Sequence, residues 1–149
     1  MASLVFLFLA FAPMLAPCVF VAAAVALARR AHQRLPGSGW HLPSASTCAL
    51  VAVMAGAAVC GAYAWGVMSG FYILDPDQMC AAKGVPGDHV VTREALPVSA
   101  QCVTSDGVGT ELVPGWVNPV IFLGLTLILL ALVAGTLGGA RRRLTPAAK

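Results

Sequence analysis

Three stretches of the chain, residues 4–28, 47–70 and 117–140, carry no charged side chain, and each is 24 or 25 residues long. Crossing the hydrocarbon core of a bilayer takes about 20 helical residues, so each stretch is long enough to cross once with modest tilt and too short to cross twice. Inside lipid the backbone must satisfy its own hydrogen bonds, which a lone spanning segment does as a helix. The competing reading is three buried helices of a water-soluble protein. Only 10% of the 149 residues are charged, against about 25% in a typical soluble domain, and an uninterrupted apolar run of this length reads as transmembrane.

The charges fix an orientation. All six carboxylates, Asp75, Asp77, Asp88, Glu94, Asp106 and Glu111, lie in one connector, opposed there only by Lys83 and Arg93. The other seven basic residues are Arg29, Arg30 and Arg34 in the first connector and Arg141, Arg142, Arg143 and Lys149 in the tail. Basic segments stay in the cytoplasm. The expected order is transmembrane helix 4–28 with its N-terminus outside, cytoplasmic loop 29–46, helix 47–70, extracytoplasmic loop 71–116, helix 117–140 and cytoplasmic basic tail 141–149. The expected location is the plasma membrane, crossed several times. Arg29, Arg30, Arg141, Arg142 and Arg143 would each attract anionic lipid by roughly 1 kcal/mol. Ala26-Leu27-Ala28 matches a signal-peptidase pattern, and Cys18 follows a weak lipobox. Neither has the charged leader it needs, and cleavage would place the basic connector outside.

Within the helices, Pro13 and Pro17 each remove a backbone donor and predict a kink. Ala52, Gly56, Cys60 and Ala64 recur every four residues on the second helix, and Ala58, Ala62, Gly66 and Gly70 form another small stripe. Ala131, Gly135 and Gly139 lie near the inner end of the third. Such stripes let helix backbones approach closely where lipid removes the hydrophobic drive. Trp65, Phe71, Tyr72 and Trp116 gather at the expected outer surface, with Trp40 in the inner connector, as headgroup anchors. Ser44, Ser46 or Thr47 is placed to cap the second helix.

The connector 71–116 is the part polar enough to fold in water. Its size calls for a staple, and Cys80 with Cys102 supplies one on the oxidising side of the membrane. Closing that loop is worth about 3 kcal/mol in the chain-entropy picture. Residues 101–104 and 109–113 flank Asp106-Gly107 and read as a β-hairpin. His89-Val90-Val91-Thr92 reads as a third short strand, and Pro119 fits the first turn of the last helix. The expected fold class is membrane all-α: three transmembrane helices with a small disulfide-stapled β-hairpin loop outside.

No pattern names a reaction. Asp75-Pro76-Asp77 lacks the spacing of a calcium loop and reads as a solvated turn. His89 has no companion ligands. Cys18 and Cys60 read as small packing residues, and Cys48 sits at the inner edge. The sequence offers no nucleophile elbow, phosphate-binding glycine loop or nucleic-acid module. No catalytic residue, metal site or cofactor is expected, and no nucleic acid among the partners. Uncharged helices also speak against a self-contained pump or transporter.

Leu74-Asp75-Pro76-Asp77, Cys80, Cys102, Asp106-Gly107, Glu111-Leu112-Val113-Pro114 and Trp116-Val117-Asn118-Pro119 together resemble the corresponding segment of small integral membrane proteins, of no assigned activity, in high-GC Gram-positive bacteria. The resemblance covers 71–119. It implies a cell-envelope location and carries over no site residue. The leading functional expectation is a non-enzymatic structural or interaction subunit of a bacterial membrane complex, without a cofactor, assembling with itself or with a larger complex. The alternatives are a thiol–disulfide enzyme using Cys80 and Cys102, and an accessory subunit of a channel or transporter.

Overall fold

The computed structural model describes residues 2–33, 44–70 and 76–144. Arg34, Trp40, Phe71, Tyr72, Leu74, Asp75 and Lys149, singled out above, lie outside the described residues. The elements run α1 (Ala2–Gln33), α2 (Ala45–Ser69), α3 (Pro76–Ala82), β1 (His89–Arg93), β2 (Ser99–Val103), β3 (Gly109–Glu111) and α4 (Val117–Leu144). The protein is mostly helical. Its three long helices contain the segments Met14–Gln33, Ala45–Ser69 and Val117–Ala140, each long and apolar enough to cross a membrane.

The helices overrun the apolar stretches at several ends. Residues 29–33, expected in a loop, continue α1 and place Arg29 and Arg30 in its last turns; α4 likewise runs on through residues 141–144. Long basic side chains suit a helix C-terminus, where they oppose the macrodipole. The helix α1 is assigned without a break through Pro13 and Pro17.

The chain divides into two compact units, residues 14–59 with 122–149, and residues 1–13 with 60–121. In the first unit, α1 buries Ala16 and Ala23, two turns apart on one face, while Met14, Leu15 and Val21 stay exposed. Ser44 is the N-cap of α2: its Oγ accepts from the Thr47 N–H at 3.3 Å and its carbonyl from the Cys48 N–H at 3.0 Å. This satisfies donors that the first turn cannot pair internally. Helices α2 and α4 approach closely at Gly124. A Cβ there would collide with the Val59 side chain and come within 3.3 Å of the Ala55 carbonyl oxygen. Gly135 lies at ordinary contact distance from Cys48, 3.5 Å for an added Cβ. The hydroxyls of Thr126 and Thr136 donate back to the Phe122 and Val133 carbonyls at 2.8 and 2.9 Å, so neither needs a partner outside α4.

In the second unit, the three strands form an antiparallel sheet in the order β1-β2-β3. Val90 pairs with Cys102 and Gln101 with Glu111. The turn between β2 and β3 is closed by Thr104 N–H to Val108 O and Gly107 N–H to Thr104 O, with Gly107 at φ 82°. That is the left-handed geometry which favours glycine, as the Asp-Gly signal implied. The third strand expected at 89–92 is β1, and it lies on the far side of β2 from β3. Of the segment read as a solvated turn at 75–77, Pro76 and Asp77 instead open α3, with Pro76 as its first residue, where the missing N–H is no loss.

Candidate functional site

The polar segment is the candidate working surface, and three devices hold it together. The first is the staple. Cys80 on α3 and Cys102 at the centre of β2 are joined by a disulfide, their Cα atoms 5.9 Å apart. Both cysteines are fully buried. Gly87 lies against the bridge: an added Cβ would stand 2.8 Å from Cys102 Cβ and 3.2 Å from Cys80 Sγ. Only a hydrogen fits there, so the chain after α3 closes over the sulfurs. The helix ends just before it, with Val85 N–H reaching back to the Cys80 carbonyl at 3.0 Å and Gly84 at φ 71°, a glycine stop of the usual kind.

The second device is Glu111. Its carboxylate accepts from Ser99 Oγ at 2.7 Å, the Ala100 N–H at 2.9 Å, Gln101 Nε2 at 3.1 Å and the Val113 N–H at 3.4 Å. The backbone ladder between β2 and β3 stops at Gln101–Glu111, and the side chain supplies the acceptor that Ala100 would otherwise lack. Burial pushes the Glu111 carboxyl up, but the hydrogen bonds from Ala100, Ser99, Gln101 and Val113 outweigh it and leave the group below its ordinary value of 4.5.

The third device ties the sheet to the helices. Asn118, in the first turn of α4, accepts from the Val98 N–H through Oδ1 and donates to the Val98 carbonyl through Nδ2, both at 2.9 Å. Val98, Val117 and Ile121 are buried at this junction. The C-terminal turns of α2 receive the sheet because they are small. A Cβ on Gly66 would stand 3.0 Å from Val117 Cγ1 and 3.1 Å from Val98 Cγ1. One on Gly70 would stand 2.7 Å from Thr92 Cγ2 and 2.8 Å from Ala100 Cβ. Tyr63 donates its hydroxyl to the Glu94 carbonyl at 3.2 Å, and Asp88 accepts from the Ser105 N–H at 2.8 Å.

The two small stripes of α2 therefore have different surroundings. Ala62, Gly66 and Gly70 of the second stripe are buried, and Gly66 and Gly70 lie against the sheet and the start of α4. Of the first, Ala64 is buried, Ala52 half-buried and Cys60 exposed, and a Cβ on Gly56 would meet nothing within 4 Å. On α4, Ala131 is buried and Gly139 faces open space. Asn118, Glu111 and Gly124 carry more structure than their sequence context announced. The only signals were an amide in a helix first turn, an acid beside a β-turn strand and one glycine among leucines.

A groove of about 250 Å³ lies between Gly66, Val67 and Gly70 of α2 and residues Thr92–Glu94 and Val98–Ala100. A second, of about 280 Å³, lies among Trp65, Met68, Ser69, Lys83, Leu112 and Pro114. Among the described residues, no three His, Cys, Asp or Glu side chains gather where they could hold a metal ion. No family model, curated protein or solved structure matches the chain.

Proposed function

We propose that this is a multi-pass protein of a bacterial plasma membrane that acts as a non-enzymatic interaction subunit. Helices α1, α2 and α4 cross the bilayer with the N-terminus outside and the C-terminus inside. The stapled sheet is presented on the outer surface as a small rigid head. The charge segregation supports the orientation. The observation that carries the interaction role is the division of labour on α2. One small stripe is consumed by the sheet and the start of α4, while Gly56 and Cys60 leave a smooth face open. That face suits close approach by another helix, either of a second copy or of a larger complex.

A photocrosslinking residue at position 56 in native membranes tests this. The expected result is a covalent adduct to a protein, while the same probe at the exposed Leu129 of α4 labels lipid. If position 56 yields lipid adducts alone and native gels show only monomer, the interaction role fails. The thiol–disulfide alternative requires an attackable sulfur. Complete burial of both cysteines beneath Gly87 favours a structural bridge over an exchanging one.

A further inference from the structure

The loop between β1 and β2 is pinned at both ends to helices that are apolar enough to cross a membrane. At its start, the Glu94 carbonyl accepts from the Tyr63 hydroxyl at 3.2 Å. Tyr63 belongs to the span Ala45–Ser69 and lies about 9 Å short of its end, at roughly 1.5 Å per residue. Helical side chains lean toward the N-terminus, so its hydroxyl is no nearer that end. At the other end of the loop, the N–H and carbonyl of Val98 both bond to Asn118 at 2.9 Å, the second residue of the span Val117–Ala140. Val98 also stands against Gly66 of α2. The loop is therefore held beside the outer turns of two spans and not beyond them.

Between these anchors, Ala95, Leu96 and Pro97 are uncharged and exposed, Leu96 by 44%. The opposite end of the sheet has the reverse character. There Asp88, just before β1, accepts from the Ser105 N–H, and Asp106 lies in the turn between β2 and β3. The five residues of β2 separate the two ends by about 17 Å. The sheet is polarised along its strands, with an uncharged tip level with the spans and an acidic end away from them. Tyr63, Trp65 and Trp116 lie near the same ends of the spans, and both tryptophans are exposed. Such aromatics gather at the membrane–water interface.

We propose that Ala95-Leu96-Pro97 dips into the outer leaflet, with Leu96 among acyl chains just below the headgroups. The partner is the lipid surface itself. Continuity with the spans selects it, because an exposed tip held level with the outer turns of a spanning helix meets the medium that surrounds that helix. The backbone suits this place. The Glu94 carbonyl and both Val98 groups already have partners, and Pro97 has no N–H to satisfy, where an unpaired polar group in lipid is costly. Arg93 and Glu94 border the tip and hold the insertion to the interface, since charge is disfavoured in hydrocarbon. The proposal rests on the membrane reading above.

The test places one nitroxide spin label on the full-length protein in vesicles of phosphatidylethanolamine and phosphatidylglycerol. The free cysteines Cys18, Cys48 and Cys60 are first replaced by alanine. The label is then attached through Leu96→Cys, through Val108→Cys at the acidic end of the sheet, or through Leu129→Cys in α4, all three positions being exposed. Collision with oxygen, which concentrates in lipid, is compared with collision with a water-soluble nickel complex. The oxygen-to-nickel ratio at 96 should exceed that at 108 by roughly tenfold, since a polar complex loses hydration on entering lipid and oxygen does not. Tyr63→Phe, which frees the Glu94 carbonyl, should lower the ratio at 96 and leave those at 108 and 129 unchanged. Equal ratios at 96 and 108 overturn the proposal. A label at 96 reached by neither reagent overturns it too, because protein then covers the tip, and indifference to Tyr63→Phe overturns the anchoring on which the depth rests. Position 129 separates the two failures. Nickel access there sinks the membrane reading, whereas oxygen preference at 129 without it at 96 sinks this proposal alone.

Discussion

Replacing Asn118 by Ala removes both hydrogen bonds that join the sheet to the first turn of α4. Both are 2.9 Å long and end on the backbone of Val98, a residue only 2% exposed. A buried backbone group stripped of its partner costs about 1–3 kcal/mol. Two groups would give about 2–6 kcal/mol, but Asn118 is itself half-buried, so water reaches the vacated space and the low end applies. Alanine also returns a few tenths of a kcal/mol through helix propensity. The net expectation is about 2 kcal/mol, or roughly 30-fold in the equilibrium for opening the sheet away from α4. Hydrogen exchange read by mass spectrometry on peptides covering 97–103 reports that opening directly. Asn118→Ala should raise exchange there by one to two orders of magnitude and leave peptides from the middle of α4 unchanged. Asn118→Asp keeps the acceptor and loses the donor, so it should fall between. Wild-type exchange in Asn118→Ala would refute the role of this side chain.

The bridge, the carboxylate and the helix contact give three more expectations. Cys80→Ser with Cys102→Ser should lower stability by about 3 kcal/mol, and Gly87→Ala should reproduce part of that loss through its contact with Cys102, whereas Gly115→Ala, with open space around it, should be silent in the same thermal melt. Because the Glu111 pKa is depressed in the folded chain, its contribution is present above the unfolded value and lost as pH falls through the lower folded one. The melting temperature should therefore hold steady above about pH 5.5 and drop below its ordinary 4.5, and Glu111→Gln should start lower and flatten that acid limb. Gly124→Leu should separate α2 from α4 and lower stability by about 1–3 kcal/mol through overpacking, while Gly56→Ala should leave the isolated chain unchanged.

What the sequence exposed and what it hid follow one physical division. Features built from local chemistry were legible. Asp-Gly demanded a tight turn, His89–Thr92 had strand-forming residues, and two cysteines within one short polar segment made a single bridge the natural reading. The uncharged runs read as helices because each is long and apolar enough to cross a membrane, where a lone segment can satisfy its backbone only as a helix. Features set by tertiary geometry were not legible. The seven residues of α3 are too few to show a helical period, and Pro76 reads equally well as a turn. Which small residues touch a neighbour depends on how α2 and α4 are rotated. An apolar helix without a polar face gives no sign of that, so Gly124 passed unnoticed among leucines. Asn118 and Glu111 act through single side chains reaching backbone 11 to 20 residues away, a relation that no spacing rule encodes.

The central claim, a head outside joined to helices with their basic ends inside, is tested most directly by cysteine labelling in intact cells. The background replaces the three free cysteines Cys18, Cys48 and Cys60 by alanine and keeps the Cys80–Cys102 bridge. A single cysteine is then introduced at Val108, which is 63% exposed, or at Gly37 in the basic connector. A membrane-impermeant maleimide should label position 108 at once and position 37 only after the membrane is opened. Labelling of 37 but not 108 in intact cells, or of both alike, would contradict the account.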